Sequence, residues 1–158
     1  MTALLVIAGA VLALDQITKS VVLDRLAPGI VIAVVDDLVN LTLVRNPGLA
    51  FGVLASVPGR WRWLVAALSL GALVVLGRLA VGTLPTAGWL GRLSLGLIFG
   101  GAVGNLIDRA RFGAVIDFVD VHWHGWHWPA FNVADSAISI GVALLALRLL
   151  REPRGATR

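Results

Sequence analysis

The chain has 158 residues and a formal charge of +4, and 58% of its residues are apolar while 14% are charged. Soluble domains carry roughly 45–50% apolar residues, glycine included, and about 25% charged ones. A chain of this size therefore has more apolar side chains than a soluble core can bury, which excludes a disordered chain and predicts an integral membrane protein. The absence of cysteine excludes disulfides, a thiol nucleophile and cysteine metal ligands. No basic stripe with interleaved aromatic residues is present, so nucleic acid is not an expected partner.

Four apolar segments are long enough to cross the hydrocarbon core as helices, which takes about 20 residues. They cover residues 3–23, 61–81, 89–108 and 132–150. The first segment is not typical of a cleaved secretory signal, because it lacks a basic N-terminal region and carries Asp15 and Lys19 in its apolar body. On the third segment, Gly96, Gly100 and Gly104 form a row of small residues that predicts close approach of another helix. We expect a bundle of four transmembrane helices.

A different pattern separates the first two helices. Residues 30–35 and 38–44 are rich in β-branched side chains and are separated by Asp36-Asp37, which predicts a β-hairpin. Residues 45–48 then break the pattern, and residues 49–54 are a candidate further strand. Because sheet backbone cannot face lipid without leaving amides unpaired, this region lies outside the hydrocarbon or at its edge.

The segment 109–128 is expected on the same side as the hairpin, because one out-and-back pair of helices separates the two. Arginines near the span ends are equally numerous on both sides, and a dense C-terminal group breaks the tie, at residues 148, 151, 154 and 158. We therefore place both termini in the cytoplasm. The tryptophans fall at span ends or in the segment 109–128, as in an interfacial belt: Trp61, Trp63, Trp89, Trp123, Trp126 and Trp128.

Ionisable residues inside membrane helices are costly, so each is a functional candidate. Asp15 and Lys19 are four residues apart and share one helix face. An internal ion pair that neutralises both charges accounts for them without any chemistry. A direct part in chemistry stays open.

Further polar residues gather where the third helix ends and the fourth begins. Asn105, Asp108 and Arg109 share one helix face. Taken singly, Asn132 is explained as the N-cap of the fourth helix, and Asp135 as a carboxylate in its first turn. Because adjacent residues on a helix do not face each other, Asp108 is expected to bind a donor other than Arg109 and to have a structural role.

Asp117 lies in a short apolar run, residues 114–119, where a lone aspartate is most simply an exposed strand or turn residue. Asp117 joins Asp108, Asp135 and Asn46 at one membrane face, and such a concentration of polar residues needs another explanation. Two carboxylates held within a few ångströms cannot both ionise at neutral pH. One keeps a proton for a carbonyl oxygen while the other activates water, which is an arrangement for peptide hydrolysis.

Other catalytic patterns are absent from the sequence, including the nucleophile elbow, the zinc-binding helix and the phosphate loop. His122, His124 and His127 alternate with tryptophans and are interpreted as an amphipathic interfacial loop rather than a metal site. Two other classes of protein stay open. A small transporter or proton relay would favour charges at mid-bilayer, and a non-enzymatic scaffold would not explain Asp117 opposite Asp135.

In the order of these motifs, and over nearly its whole length, the chain resembles the lipoprotein signal peptidases (signal peptidase II) of bacteria. The four matching motifs are Asp15-Gln16 with Lys19, Asn46-Pro47-Gly48 with Ala50-Phe51-Gly52, residues 100–105 with Asp108-Arg109 and Asp117-Phe118, and residues 131–136. Each motif alone is moderately specific, and all four in this order are highly specific.

The resemblance implies a four-helix aspartyl peptidase of the bacterial cell (inner) membrane, with an extracytoplasmic β-cradle (29–57) and an extracytoplasmic loop (109–131) in a single domain. It implies removal of the signal peptide from prolipoproteins just before a diacylglyceryl-modified cysteine. It also implies contact with membrane lipid, inhibition by the cyclic peptide globomycin, a monomer, and no cofactor or metal. The family's catalytic pair corresponds to Asp117 and Asp135. Positions that line or support the site correspond to Asn46, Gly48, Asn105, Asp108, Arg109, Asn132, Asp15 and Lys19.

Overall fold

The computed structural model describes residues 1–48, 62–83 and 87–151. Within these ranges, four α-helices are each long and apolar enough to cross a membrane. They are α1 (Thr2–Arg25), α2 (Arg62–Thr83), α3 (Gly88–Phe112) and α4 (Val133–Arg151). The four predicted spans are therefore confirmed as helices, with ends that differ from the prediction by a few residues.

The largest difference is at the end of α3, which continues to Phe112 rather than ending at residue 108. The helix stops where Gly113 adopts a left-handed conformation with φ of 67°, and its N–H donates to the carbonyl oxygen of Arg109 at 3.0 Å. Glycine reaches this conformation without the steric cost that a side chain imposes. The extra turn keeps Arg109 helical and on the same face as Asn105.

Helix α3 is the centre of the bundle, and its glycines let the neighbouring helices approach closely. Half of its most apolar stretch is buried, against 17% in α1 and in α4. A Cβ added to Gly100 would lie 2.6 Å from the carbonyl oxygen of Ala8 in α1, and Gly96 faces α1 in the same way. A Cβ on Gly101 would lie 2.5 Å from the carbonyl oxygen of Ala134 in α4. The predicted packing role of the glycine row is confirmed.

A small antiparallel sheet has the strand order β1 (Val31–Val35), β2 (Val39–Asn46), β3 (Val115–Trp123) and β4 (Trp126–His127). Strands β1 and β2 form the predicted hairpin, and Asp37 at its turn is left-handed with φ of 59°. The predicted break at residues 45–48 begins later than expected, because Arg45 and Asn46 still pair with β3. The candidate strand at residues 49–54 lies outside the described residues.

Residues 122–128 form a β-hairpin, and the prediction of a loop there is wrong. Strand β3 runs on to Trp123 and pairs in register with β4. The two residues between the strands, His124 and Gly125, both have positive φ, 48° and 80°. Two-residue turns of this kind match the twist of paired strands. The alternation of histidine and tryptophan is therefore the period-two pattern of a strand.

The sheet packs across one end of the helix bundle. Val22 and Leu26 at the end of α1 form a buried apolar cluster with Phe118 of β3. Partly buried side chains of β2, β3 and α4 surround this cluster, namely Leu41, Leu43, Val119 and Val133. The first hairpin and the segment that follows α3 therefore lie at the same end of the bundle, as predicted.

We expect Gly101→Ala to lower the stability of the protein, because the added methyl group would lie against the carbonyl oxygen of Ala134 and push α4 away from α3. Overpacking of this kind costs about 1–3 kcal/mol. Thermal unfolding in detergent measures the loss, with Gly9→Ala as a matched control, because a Cβ at Gly9 would have no atom within 4 Å. Equal melting temperatures for the two variants would contradict the close packing of the helices.

Candidate active site

The buried ammonium group of Lys19 holds together polar residues of α1 and α3. Its side chain is 2% exposed, and Nζ lies 2.9 Å from Asp15 Oδ2 and 2.7 Å from Asp108 Oδ2. Nζ also donates to Asn105 Oδ1 at 3.0 Å. All three ammonium protons therefore have acceptors, as a cation away from water requires. The predicted pair of Asp15 and Lys19 is confirmed, and Asp108 joins it.

The two carboxylates extend this network to the sheet and to α4. Asp15 Oδ1 accepts from the backbone N–H of Ala134 at 3.0 Å. Asp108 Oδ2 accepts from the backbone N–H of Ile116 in β3 at 3.1 Å. Gln16 Nε2 donates to Asp108 Oδ1 at 3.1 Å and to Asp15 Oδ2 at 3.2 Å. Asp108 thus binds donors other than its neighbour in the chain, as predicted.

Strand β3 brings Asp117 into the site. Its side chain is 1% exposed and follows the fully buried Ile116, where β3 crosses the end of the bundle. Asn46 Nδ2, at the end of β2, donates to Asp117 Oδ2 at 3.0 Å. Asn132 Nδ2 donates to Asp117 Oδ1 at 2.7 Å. Each oxygen of this carboxyl group therefore accepts a hydrogen bond from an amide.

Asp135 lies in the first turn of α4, next to the residue that caps the helix. Asn132 Oδ1 accepts from the N–H of Asp135 at 2.9 Å, and Asp135 Oδ2 accepts from the N–H of Asn132 at 3.3 Å. This reciprocal cap satisfies backbone donors that the first turn leaves free. Asp135 Oδ1 accepts from Asn105 Nδ2 at 2.8 Å. Asn132 is an N-cap and Asp135 a first-turn carboxylate, as predicted, and both also belong to the site.

Two buried amides connect the two aspartates. Asn132 is fully buried, and it contacts Asp117 through Nδ2 while its Oδ1 and N–H hold Asp135. Asn105 Oδ1 accepts from Asn132 Nδ2 at 3.3 Å, and Asn105 Nδ2 binds Asp135. The positions of Asp117 and Asp135 relative to each other are therefore fixed by hydrogen bonds.

Burial, and after it the negative charge of Asp135, raise the pKa of Asp117 to about 6. Hydrogen bonds from Asn46 and Asn132 act against this shift and do not cancel it. Asp117 therefore keeps its proton at pH values where an ordinary aspartic acid has lost it. Two neighbouring carboxyl groups with one proton between them offer an acid and a base in the same place.

Arg109 reaches from α3 to the segment that follows β2. Its Nη2 donates to the carbonyl oxygen of Gly48 at 2.9 Å, and its Nη1 donates to the carbonyl oxygen of Asn105 at 3.3 Å. The N–H of Gly48 in turn donates to Asn46 Oδ1 at 3.0 Å. Arg109 thus holds the turn that positions Asn46 against Asp117.

The structure brings all the predicted site residues into one connected network. Partners in it that were not among the predicted site residues include the side chain of Gln16 and the backbone N–H groups of Ile116 and Ala134. The signal for Gln16 is a polar side chain inside an apolar span. A backbone donor has no signal in the sequence.

The histidines lie apart from this network, at the far end of β3. His122 and His127 stack with ring centroids 5.1 Å apart, and His127 Nδ1 lies 2.8 Å from Asp120 Oδ1. Among the residues that the structure describes, no three His, Asp or Glu side chains converge as ligands for a metal ion.

Residues 7–151 match the family model described as signal peptidase (SPase) II. The chain belongs to the signal peptidase II family. A lipoprotein signal peptidase of Syntrophotalea carbinolica is 46% identical over 149 residues, which cover 94% of this chain and 91% of that protein. A lipoprotein signal peptidase of Burkholderia mallei is 49% identical over 148 residues, which cover 92% of this chain and 86% of that protein.

Two solved structures of a bacterial membrane enzyme, determined by the in meso method at 2.3 and 1.9 Å resolution, have the same fold as this chain. Their TM-scores are 0.79 and 0.80, each at 31% sequence identity. The first covers 100% of this chain and 93% of its own, and the second covers 96% and 95%. The resemblance seen in the sequence motifs is thereby confirmed.

We expect Asp108→Asn to lower stability more than it lowers the specific activity of the folded protein. The carboxylate binds Lys19, Gln16 and the N–H of Ile116, and weakening such a buried group costs about 1–3 kcal/mol. Thermal unfolding, together with activity per folded molecule, measures the two effects.

Lys19→Met should lower stability more than Asp108→Asn does. It leaves two buried carboxylates without their cation, at a cost of roughly 3–5 kcal/mol. A stable but inactive Asp108→Asn would instead assign Asp108 to the chemistry and would contradict its structural role.

Proposed function

We propose that the chain is an aspartyl endopeptidase that removes the signal peptide from diacylglyceryl-modified prolipoproteins and cuts just before the lipidated cysteine. The observation that carries this proposal is the pairing of Asp117 and Asp135 through Asn132, at a buried site in a member of the signal peptidase II family. The substrate class is supported by the relatives, which are named lipoprotein signal peptidase.

In the proposed mechanism, a water molecule binds between Asp117 and Asp135. The carboxylate of Asp135 accepts a proton from this water as the water oxygen attacks the scissile carbonyl carbon, and Asp117 donates its proton to the carbonyl oxygen. The raised pKa of Asp117 supports its role as the member that holds the proton.

The tetrahedral diol that forms then breaks down. Its C–N bond breaks, the leaving nitrogen takes the proton from Asp135, and Asp117 recovers a proton from a hydroxyl group of the diol. The products are a carboxyl group and an amine, and the pair returns to its singly protonated state.

The other site residues are proposed to position these two groups. Asn46 and Asn105 each donate to one of the carboxyl groups, and Arg109 holds the turn at Gly48. Asp15, Lys19 and Asp108 are proposed as supporting residues, because they join the elements that carry the aspartates.

We propose that the four helices form a transmembrane bundle in the bacterial cell (inner) membrane with both termini in the cytoplasm. The β-cradle (29–57) and the segment 109–131 then lie on the extracytoplasmic side, where the site is. Arg148 and Arg151 at the end of α4 support this orientation, since basic residues favour the cytoplasmic face. The substrate peptide would lie along the sheet, with strand-like hydrogen bonds, while its lipid chains lie among the helices.

We further propose a monomer and a site that binds the cyclic peptide globomycin. Both are what the resemblance to the signal peptidase II family implies. A transporter or proton relay is less well supported, because the ammonium group of Lys19 is fully engaged by Asp15, Asp108 and Asn105.

We expect Asp117→Asn and Asp135→Asn each to reduce cleavage by about 10²–10⁴-fold or more, because an amide keeps the shape of the side chain but cannot transfer the proton. Each single variant should lose nearly as much activity as the double variant, because the two groups act as a unit. A gel-shift assay with a lipidated prolipoprotein measures this.

Asp120→Asn is the matched control for these variants, since Asp120 lies on the same strand but at the histidine end, and it should retain activity. Substantial turnover by either Asp117→Asn or Asp135→Asn would remove the two-aspartate mechanism.

The proposed pair also predicts a bell-shaped dependence of kcat/KM on pH. The pKa of Asp117 is raised to about 6, so this group is protonated below that pH and ionised above it. Activity should fall as the pH rises through the higher pKa of the pair, when both groups are ionised, and fall in acid, when both are protonated. The measurement uses a lipidated substrate in nanodiscs. A profile that rises to a plateau at strongly basic pH would contradict the need for a protonated carboxyl group.

A further inference from the structure

The hairpin at residues 122–128 takes no part in the site described above. Cross-strand partners share a face of a sheet, so Trp123 and its partner Trp126 project to the same side. Trp128 lies two residues after Trp126 and projects to that side too, with the two rings 5.8 Å apart, edge to face. The three indoles are 67%, 61% and 44% exposed in chain order. We call this surface the indole face.

The opposite side of the hairpin is polar. His122 and its cross-strand partner His127 stack on each other. His127 Nδ1 lies 2.8 Å from Asp120 Oδ1, and Asn40 Nδ2 in β2 donates to Asp120 Oδ2 at 3.1 Å. Burial disfavours the charge on Asp120, but these hydrogen bonds outweigh it and hold the pKa of Asp120 below its ordinary value. The two faces of the hairpin therefore differ sharply in chemistry.

A β-bulge decides which face is turned toward the membrane helices. The N–H groups of the consecutive residues Phe118 and Val119 both donate to the carbonyl oxygen of Phe131, at 3.0 and 2.8 Å. The alternation of side chains is interrupted there, and both residues pack on the apolar cluster at the end of α1. Every second residue after Val119, which means Val121 and Trp123, therefore projects to the side of the sheet that packs on the helices.

Beyond that cluster, strand β3 continues to Trp123. Trp123 lies about 17 Å further along the strand than Phe118. On this one side of the sheet, the exposed fraction rises from 6% at Phe118 to 67% at Trp123. The indole face therefore lies on the same side of the sheet as the apolar cluster at the end of α1, and its side chains are far more exposed than that cluster.

We propose that the indole face binds the lipid headgroup interface of the membrane leaflet at the sheet's end of the bundle, and that it anchors β3 there. Lipid is the occupant because the face lies on the side of the sheet that packs on the end of α1, a helix of membrane-crossing length, and because indoles favour the boundary between headgroups and hydrocarbon. The imidazole side is then turned toward water. This contact with lipid does not depend on the proposed peptidase function.

The absence of native cysteine allows each face to be labelled separately. Trp126→Cys and His127→Cys are neighbours in the chain on opposite faces, and each is labelled with the fluorophore NBD in the full-length protein. The protein is placed in nanodiscs of phosphatidylcholine and phosphatidylglycerol. A lipid with a nitroxide near its headgroup reports contact with the interface, and aqueous iodide reports contact with water. We expect the nitroxide to quench position 126 severalfold more strongly than position 127, and iodide to show the reverse order.

Equal quenching of both positions by the nitroxide lipid would overturn the assignment of the faces. Quenching by iodide alone would place the whole hairpin in water and overturn the anchor. Protection of position 126 from both quenchers would indicate a protein partner and overturn lipid as the occupant.

Trp123→Cys and His122→Cys form a second pair across the same two faces. Thermal unfolding of each labelled protein identifies any variant that does not fold, and the other pair then decides the result. No measurement in this design uses cleavage, so a failure of the anchor and a failure of the proposed peptidase function give different results.

Discussion

A cation without access to water is the constraint around which this structure is arranged. The side chain of Lys19 is 2% exposed, and an ammonium group in such surroundings needs both a balancing charge and acceptors for its protons. Asp15 and Asp108 supply the charge, and Asn105 supplies the third acceptor. Because these groups come from two helices, the ammonium group fixes α1 against α3.

The same carboxylates also set the positions of β3 and α4. Asp108 binds the N–H of Ile116, and Asp15 binds the N–H of Ala134. Ile116 and Ala134 each immediately precede one of the two aspartates of the candidate site. In each element, the charge cluster binds the backbone N–H of the residue just before the aspartate. In this way it determines where both aspartates lie. In the described part of the chain, the two carboxyl groups themselves accept hydrogen bonds from amide groups, and burial keeps the pKa of Asp117 raised despite those bonds.

Local patterns in the sequence are sufficient to predict the helices, the first hairpin and the pair of Asp15 and Lys19, because each depends on residues within a turn or a strand of one another. The hydrogen bond from Asn132 to Asp117 was not predictable from such patterns, because the two residues lie on different elements. The hairpin at residues 122–128 was missed because its tryptophans, which also favour strands, were interpreted as an interfacial belt. Its His124-Gly125 turn was the usable signal.

The spacing of the two charges on α1 also bears on how the chain enters a bilayer. Helix α1 is synthesised before α3, which carries Asp108. Asp15 and Lys19 lie one turn apart, so they neutralise each other before α3 has been synthesised. Helix α1 therefore does not carry an isolated cation into hydrocarbon. Asp108 then arrives with α3 and binds the same ammonium group at 2.7 Å, so the third charge enters beside a cation that is already in place. The order of charges along the polypeptide is therefore suited to insertion one segment at a time.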